Sequence, residues 1–203
     1  LKSLATVQGS YGVGFAAQGL GALGDAEAVD TLVALLDAQR RDARVIATAI
    51  RALAAIGHAK AERPILRLVR MRGLDQTLLV EAVAALGAVG GEESTDVLIA
   101  LVSHPRPATR AAALRSLAQV DPEKFITVLS GLDPDSDWTV RTALAEALGF
   151  LEPEQALPRL ATMLSDRDPR VLPSVLTTLA AQRAATTTTG LLEGLLSGDV
   201  VVR

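Results

Sequence analysis

Apolar residues recur along this chain at three- and four-residue spacing, in blocks that open after an acidic turn and close on Leu-Gly. The stretch Asp137 to Phe150, DWTVRTALAEALGF, holds the whole pattern: an acidic cap, an apolar-Arg pair, small and branched apolar residues at helical spacing, and a Leu-Gly exit. That spacing predicts a helix with one buried stripe. Variants recur over the whole chain. Marking the last core leucine of each copy gives Leu23, Leu53, Leu86, Leu117, Leu148 and Leu179, at intervals of 30, 33, 31, 31 and 31 residues. A period of this size belongs to stacked supersecondary units, each of which buries its apolar face only against its neighbours.

Within each period a leucine-rich helix precedes an alanine-rich one. The predicted pairs are 26–39 with 43–56, 62–71 with 76–89, 94–103 with 108–120, 123–132 with 138–151, and 154–164 with a helix running from about Asp168-Pro169 to Ala181. Val29, Leu32, Leu35 and Leu36 form the inward stripe of the earliest complete pair. Asp42, Asp75, Asp137 and Asp168 stand where a side-chain oxygen accepts from free first-turn amides, whereas Arg106, between Pro105 and Pro107, takes that place in the third pair. Gly73 and Gly90-Gly91 are expected to end helices in the left-handed conformation. The copy from Ser10 to Gly24 puts Phe15 at the core position held later by Val45, Leu78, Val140 and Val171. Its Gly12, Gly14, Gly19 and Gly21 predict a frayed end, since helix-interior glycine costs ~1 kcal/mol relative to alanine.

The architecture read from this is an all-α, right-handed α-solenoid of about 31 residues per repeat, one array over residues 1–203. It has five full repeats over about 26–184 and partial repeats at 10–25 and 185–203. Leu191, Leu192, Leu195 and Leu196 begin a helix whose partner would follow Arg203, so the chain is expected to be a fragment of a longer one.

Composition narrows the picture. The chain is 49 % hydrophobic but only 2 % aromatic, so its core is thin and filled by Ala and Leu, which suits a helical solenoid and not a β-sandwich. A net charge of −3 gives no general attraction to phosphate backbones, and nucleic acid is not an expected partner. No apolar run approaches the ~18–20 residues of a membrane span. The absence of cysteine suits a reducing cytoplasm, the compartment favoured here, but is equally compatible with export.

The leucine-rich helix, D-x-x-V-R turn and alanine-rich helix ending in Leu-Gly resemble HEAT repeats, and the short period resembles the bacterial type named after phycobilisome lyases. The resemblance implies an inter-repeat ladder of turn aspartates and arginines. Asp42, Asp75, Asp137, Asp168 and Asp199 match the acid, and Arg110, Arg141 and Arg203 match the base, while Ile46, Leu79 and Leu172 interrupt it. Arg141 is expected to reach an adjacent turn, at Asp168 or Asp137. Such arrays imply a protein-interaction scaffold. The alternatives are the non-catalytic array of a larger bacterial enzyme, for example a cyclophilin-type prolyl isomerase, or a bilin-lyase-like protein, although no lyase motif maps onto these residues.

No cofactor or metal is expected. GLGALG at Gly19–Gly24 matches the dinucleotide pattern G-x-G-x-x-G by letter, but it ends a helical copy where the fingerprint needs a strand before it. His58 and His104 lie in separate loops, short of the three or four convergent ligands a metal needs. Asp133, Asp135 and Asp137 read equally as turn formers. Trp138 is either an interface anchor or the cover of the seam between its own helices.

The expected partner is a protein or peptide rather than a small molecule. Second helices line the concave side of stacked pairs, and there Arg51, Glu81, Arg115, Glu146 and Thr177 point outward among small residues, a row fit to fix a peptide's register. The rival surface is the convex stripe Arg63, Arg67 and Arg70, in a segment, residues 37–75, with nine basic and four acidic side chains.

Overall fold

The computed structural model describes residues 10–36 and 42–182. Among the described residues eleven α-helices run in chain order: α1 (Ser10–Leu23), α2 (Val29–Val33), α3 (Ala43–Ile56), α4 (Glu62–Val69), α5 (Gln76–Val89), α6 (Glu92–Leu101), α7 (Pro107–Val120), α8 (Pro122–Ser130), α9 (Trp138–Ala147), α10 (Pro153–Met163) and α11 (Leu172–Ala181). Short 3₁₀ turns extend several of them, as at Ala26–Ala28, Ala34–Leu36, Leu148–Phe150 and Pro169–Val171. There is no strand among the described residues. The sixth-repeat leucines and Asp199 to Arg203 lie outside the described residues.

The chain divides into two compact units, Leu1–Leu98 and Ile99–Arg203. In the first, α3 packs between α1 and α5, with α2 and α4 outside them. Its core is Leu32, Leu35, Ile46, Ile50, Leu53, Ile65, Leu66 and Leu86, all essentially sealed from solvent. In the second, α9 packs between α7 and α11, and Phe125, Leu117, Leu148, Leu160 and Val175 are buried there. Burying branched apolar side chains of this size stabilises by roughly 1.5–3 kcal/mol each. Second helix therefore lies against second helix within each unit, as the alanine-rich sequences require for close approach.

Turn chemistry sets the helix starts. Asp42 accepts from the Arg44 amide at 2.8 Å, Asp75 from those of Thr77 and Leu78, Asp137 from Thr139 at 2.8 Å and Asp168 from Arg170 at 3.1 Å. Arg106 makes no side-chain cap, and Pro107 opens α7 in its place. His58 caps the 3₁₀ turn at Ala59–Ala61, its Nδ1 accepting from the Lys60 amide, while the His104 Nδ1 accepts from the amide of Arg106, the cap position of α7, both at 3.1 Å.

The earliest copy departs from expectation. Its helix is complete over 14 residues, and Phe15 and Leu23 are 72 % and 68 % exposed. The buried residues are Val13, Ala16, Ala17 and Leu20, so Leu20 is the true counterpart of Leu53 and the interval becomes 33, as it is from Leu53 to Leu86. Two glycines account for this register. Gly24 and Gly57, 33 residues apart, both end their helices at φ near +65°, where a side chain would be strained. Gly21 faces α3 so closely that a Cβ there would lie 2.7 Å from the Ala52 Cα, making it a packing position and no point of fraying. Gly90 also differs from expectation. It is extended, at φ −74°, and is required for space, because a Cβ would collide with the Leu86 carbonyl and with Ser94.

Candidate functional site

The outward row of second helices was the expected partner surface, and the structure pairs most of its charges with one another. Arg51 Nη1 donates to Glu81 Oε1 at 2.8 Å, and Arg115 Nη1 to Glu146 Oε2 at 2.9 Å. Thr177 donates its hydroxyl proton to the Pro173 carbonyl one turn back, at 2.8 Å. These charges link successive repeats. The rival stripe is partly spent too, since Arg63 donates to Glu93 at 3.0 and 3.2 Å, while Arg67 and Arg70 are exposed with no ion pair among the described residues.

The turn ladder is real but uses other acids. Arg141 donates from Nε and Nη2 to the two carboxylate oxygens of Asp166, at 2.7 and 2.9 Å, and from Nη1 to the carbonyls of Asp135 and Ser136. Arg110 repeats this on Asp135, at 2.7 and 2.8 Å, with its Nη1 on the carbonyls of His104 and Pro105. The expected Asp137 and Asp168 cannot be the acceptors because their carboxylates are committed to their own helices. The ladder acid sits two residues earlier and also accepts from the cap's amide, Asp137 N to Asp135 and Asp168 N to Asp166, each at 2.8 Å. A sequence signal existed: each ladder arginine precedes its acid by 25 residues. Where Leu79 replaces arginine, the residue 25 later is His104, which keeps the bond from the cap residue's amide in place of a ladder carboxylate.

These contacts set the local electrostatics. The Arg141 hydrogen bonds hold the Asp166 carboxyl below the ordinary carboxylate value against the opposing effect of burial. Burial raises Asp135, but its bonds from Arg110 and the Asp137 amide outweigh this and leave it lowered. Asp168, bound by the Arg170 side chain, is lowered to about 2. Arg170 also lies 4.2 Å above the Trp138 ring, so the half-buried indole stacks a cation from the following repeat.

Glu62 was not anticipated. It accepts from the Gly91 and Ser94 amides and from the Ser94 hydroxyl, at 2.7, 3.2 and 2.8 Å, and so caps α6 from the preceding helix pair. A sequence spacing of 29–32 residues hides it from any local capping rule.

The described residues of the first unit form a partner-sized groove. Gly14, Phe15 and Gln18 of α1 face Asp42, Arg44, Val45 and Thr48 across a groove of about 390 Å³. It continues past Gln18 and Thr48 into a further 270 Å³ or so, floored by Gly21 and Ala52 and edged by Arg51. In the corrected register Phe15 is the counterpart of Thr48, and an exposed aromatic stands at the head of a row whose other members are small or charged. Assigning Phe15 to the core hid this from sequence reading.

Helix pairs stacked second helix on second helix make this chain an all-α solenoid, a helical repeat scaffold. Among the described residues no helix is long and apolar enough to cross a membrane. The chain belongs to the HEAT-repeat family: the family model for HEAT repeats matches residues 64–149 and 126–203, and that for the PBS lyase HEAT-like repeat matches residues 14–38. No curated protein matches the sequence. Among solved structures it is similar to human deoxyhypusine hydroxylase in complex with glycerol, at 22 % identity and TM-score 0.44 over 100 % of this chain and 79 % of that one. It is also similar to an engineered protein, at 21 % identity and TM-score 0.37 over 99 % and 90 %.

Proposed function

We propose that this chain is a protein-interaction scaffold that takes a peptide segment of a partner protein on the second-helix face of its first unit, in the groove between α1 and α3. The observation that supports this reading is Phe15, 72 % exposed beside a groove with a glycine floor. Exposed aromatics cost solvation in the free protein and are enriched at the anchors of interfaces. Short side chains at Gly14, Gly21, Ala22 and Ala52 let a backbone approach closely, and the opposite charges of Asp42 and Arg44 at the rim suit register rather than bulk attraction. Arg51, Glu81, Arg115 and Glu146 act in this reading as structural cross-links. A photo-reactive phenylalanine analogue placed at residue 15 should give a discrete protein adduct that Thr48→Arg, which fills the groove, removes. Adducts formed only from residues 67 or 70 would transfer the site to the basic stripe.

A further inference from the structure

The second unit contains a cavity of about 520 Å³ walled by Pro134, Leu144 and Met163, with Arg159, Thr162 and Arg167 supplying its polar atoms. A smaller recess of about 40 Å³ shares Leu144 and Arg159 with it and is lined by Val102, Leu129 and Leu132 together with the exposed Asp133. The ladder residues Asp135, Arg141 and Asp166 also border the cavity, but their charges are already matched. Asp166 accepts from Arg141 and the Asp168 amide, and Asp135 from Arg110 and the Asp137 amide. Arg141 in turn donates to Asp166 and to two carbonyls. The Thr162 hydroxyl donates to the Arg159 carbonyl at 2.7 Å.

Two cations remain. Arg159 is half-buried and has no hydrogen bond or ion pair to its guanidinium among the described residues. Arg167 donates once, to the Ser136 carbonyl at 3.2 Å. Arg159 is only part-buried and Arg167 is exposed, so both keep donors free for an anion entering the cavity, and a charge-assisted bond to a carboxylate is stronger than one to a neutral acceptor. The planar fork of arginine matches a carboxylate in two parallel bonds.

We propose that this cavity binds a carboxylate carried on a short apolar stem, with Arg159 pairing with the carboxylate, Arg167 closing over it, and Leu144 and Met163 covering the stem. The site is independent of the groove at Phe15. Its ligand is either a free carboxylate or the acidic end of a partner peptide, and the same experiment separates them.

The chain has two methionines, Met71 and Met163, so methyl-labelled methionine gives two NMR signals, one of them inside the cavity. Hexanoate should shift the Met163 methyl saturably and leave exposed Met71 in place, while hexanol should shift neither. Arg159→Gln should weaken hexanoate by about tenfold or more, as expected for loss of a charge-assisted pair, with the free-state Met163 signal unmoved. A short peptide ending in leucine that saturates the same shift at lower concentration marks a partner protein as the source, and the reverse order marks a free carboxylate. No Met163 shift up to about 10 mM hexanoate, a range that reaches even millimolar affinities, would overturn the proposal. So would equal shifts with hexanol, or an unchanged affinity in Arg159→Gln.

Discussion

With side chains only 6 % and 8 % exposed, Arg141 and Asp166 hold both their charges out of water, and removing one leaves the other buried without a partner. Arg141→Ala should therefore cost about 3–5 kcal/mol in urea unfolding, the range for broken buried pairs. Arg51→Ala, from a pair that is 56 % and 29 % exposed, should cost only ~0–1 kcal/mol. The same buried pair makes stability depend on acid. Asp166 and Asp135 are lowered in the folded chain, so below the ordinary carboxylate pKa of about 4 the unfolded chain takes up protons first. Their contribution is complete above that pH and lost as pH falls through the lowered folded values. A melting series from neutral to acid should fall below pH ~4, and less steeply in Asp166→Asn, which starts lower. An equally steep acid limb in that variant would show that the pair does not govern it.

At the scale of the element, helix limits were legible because caps and apolar spacing agree. α3 and α5 run from Ala43 to Ile56 and from Gln76 to Val89 as their aspartates and spacing predict. What was not legible depended on residues about one repeat away. Gly21 reads in sequence as a helix weakener, and only the approach of Ala52 shows that its missing side chain is the packing. Separately, aligning Leu23-Gly24 with the later Leu-Gly exits shifted the register of α1, put Phe15 and Leu23 inside, and concealed the groove. The ladder acids Asp135 and Asp166 were missed for a related reason, since the neighbouring caps resemble them and a 25-residue spacing joins no local motif. Three glycine substitutions in and just after α1 separate these roles. Gly21→Val should destabilise by ~1–3 kcal/mol through overpacking, and Gly24→Ala by about 1–2 kcal/mol through left-handed strain. Gly12→Ala, with open space around it, should stabilise by about 0.5–1 kcal/mol. Equal effects at Gly12 and Gly21 would return α1 to a frayed end.

For the whole molecule, the sequence made the repeat class plain and the docking surface obscure. Periodicity survives any partner, whereas a binding face is defined by which outward charges are left over once neighbouring repeats have used theirs. Arg51 and Glu81 read as an invitation to a ligand until they are found holding each other. Phe15 has no such partner role in the fold and lies against open volume. The most direct measurement compares two variants for binding of the partner peptide identified by cross-linking at residue 15: Phe15→Glu, and the charge swap Arg51→Glu with Glu81→Arg. Both alter exposed side chains, and unchanged helicity and melting confirm that each folds. If the groove is the docking site, Phe15→Glu abolishes binding while the swapped pair, which can reform its bridge, keeps it within about threefold, in line with the small energies of exposed pairs. Loss of binding in the charge swap with wild-type affinity in Phe15→Glu would contradict it.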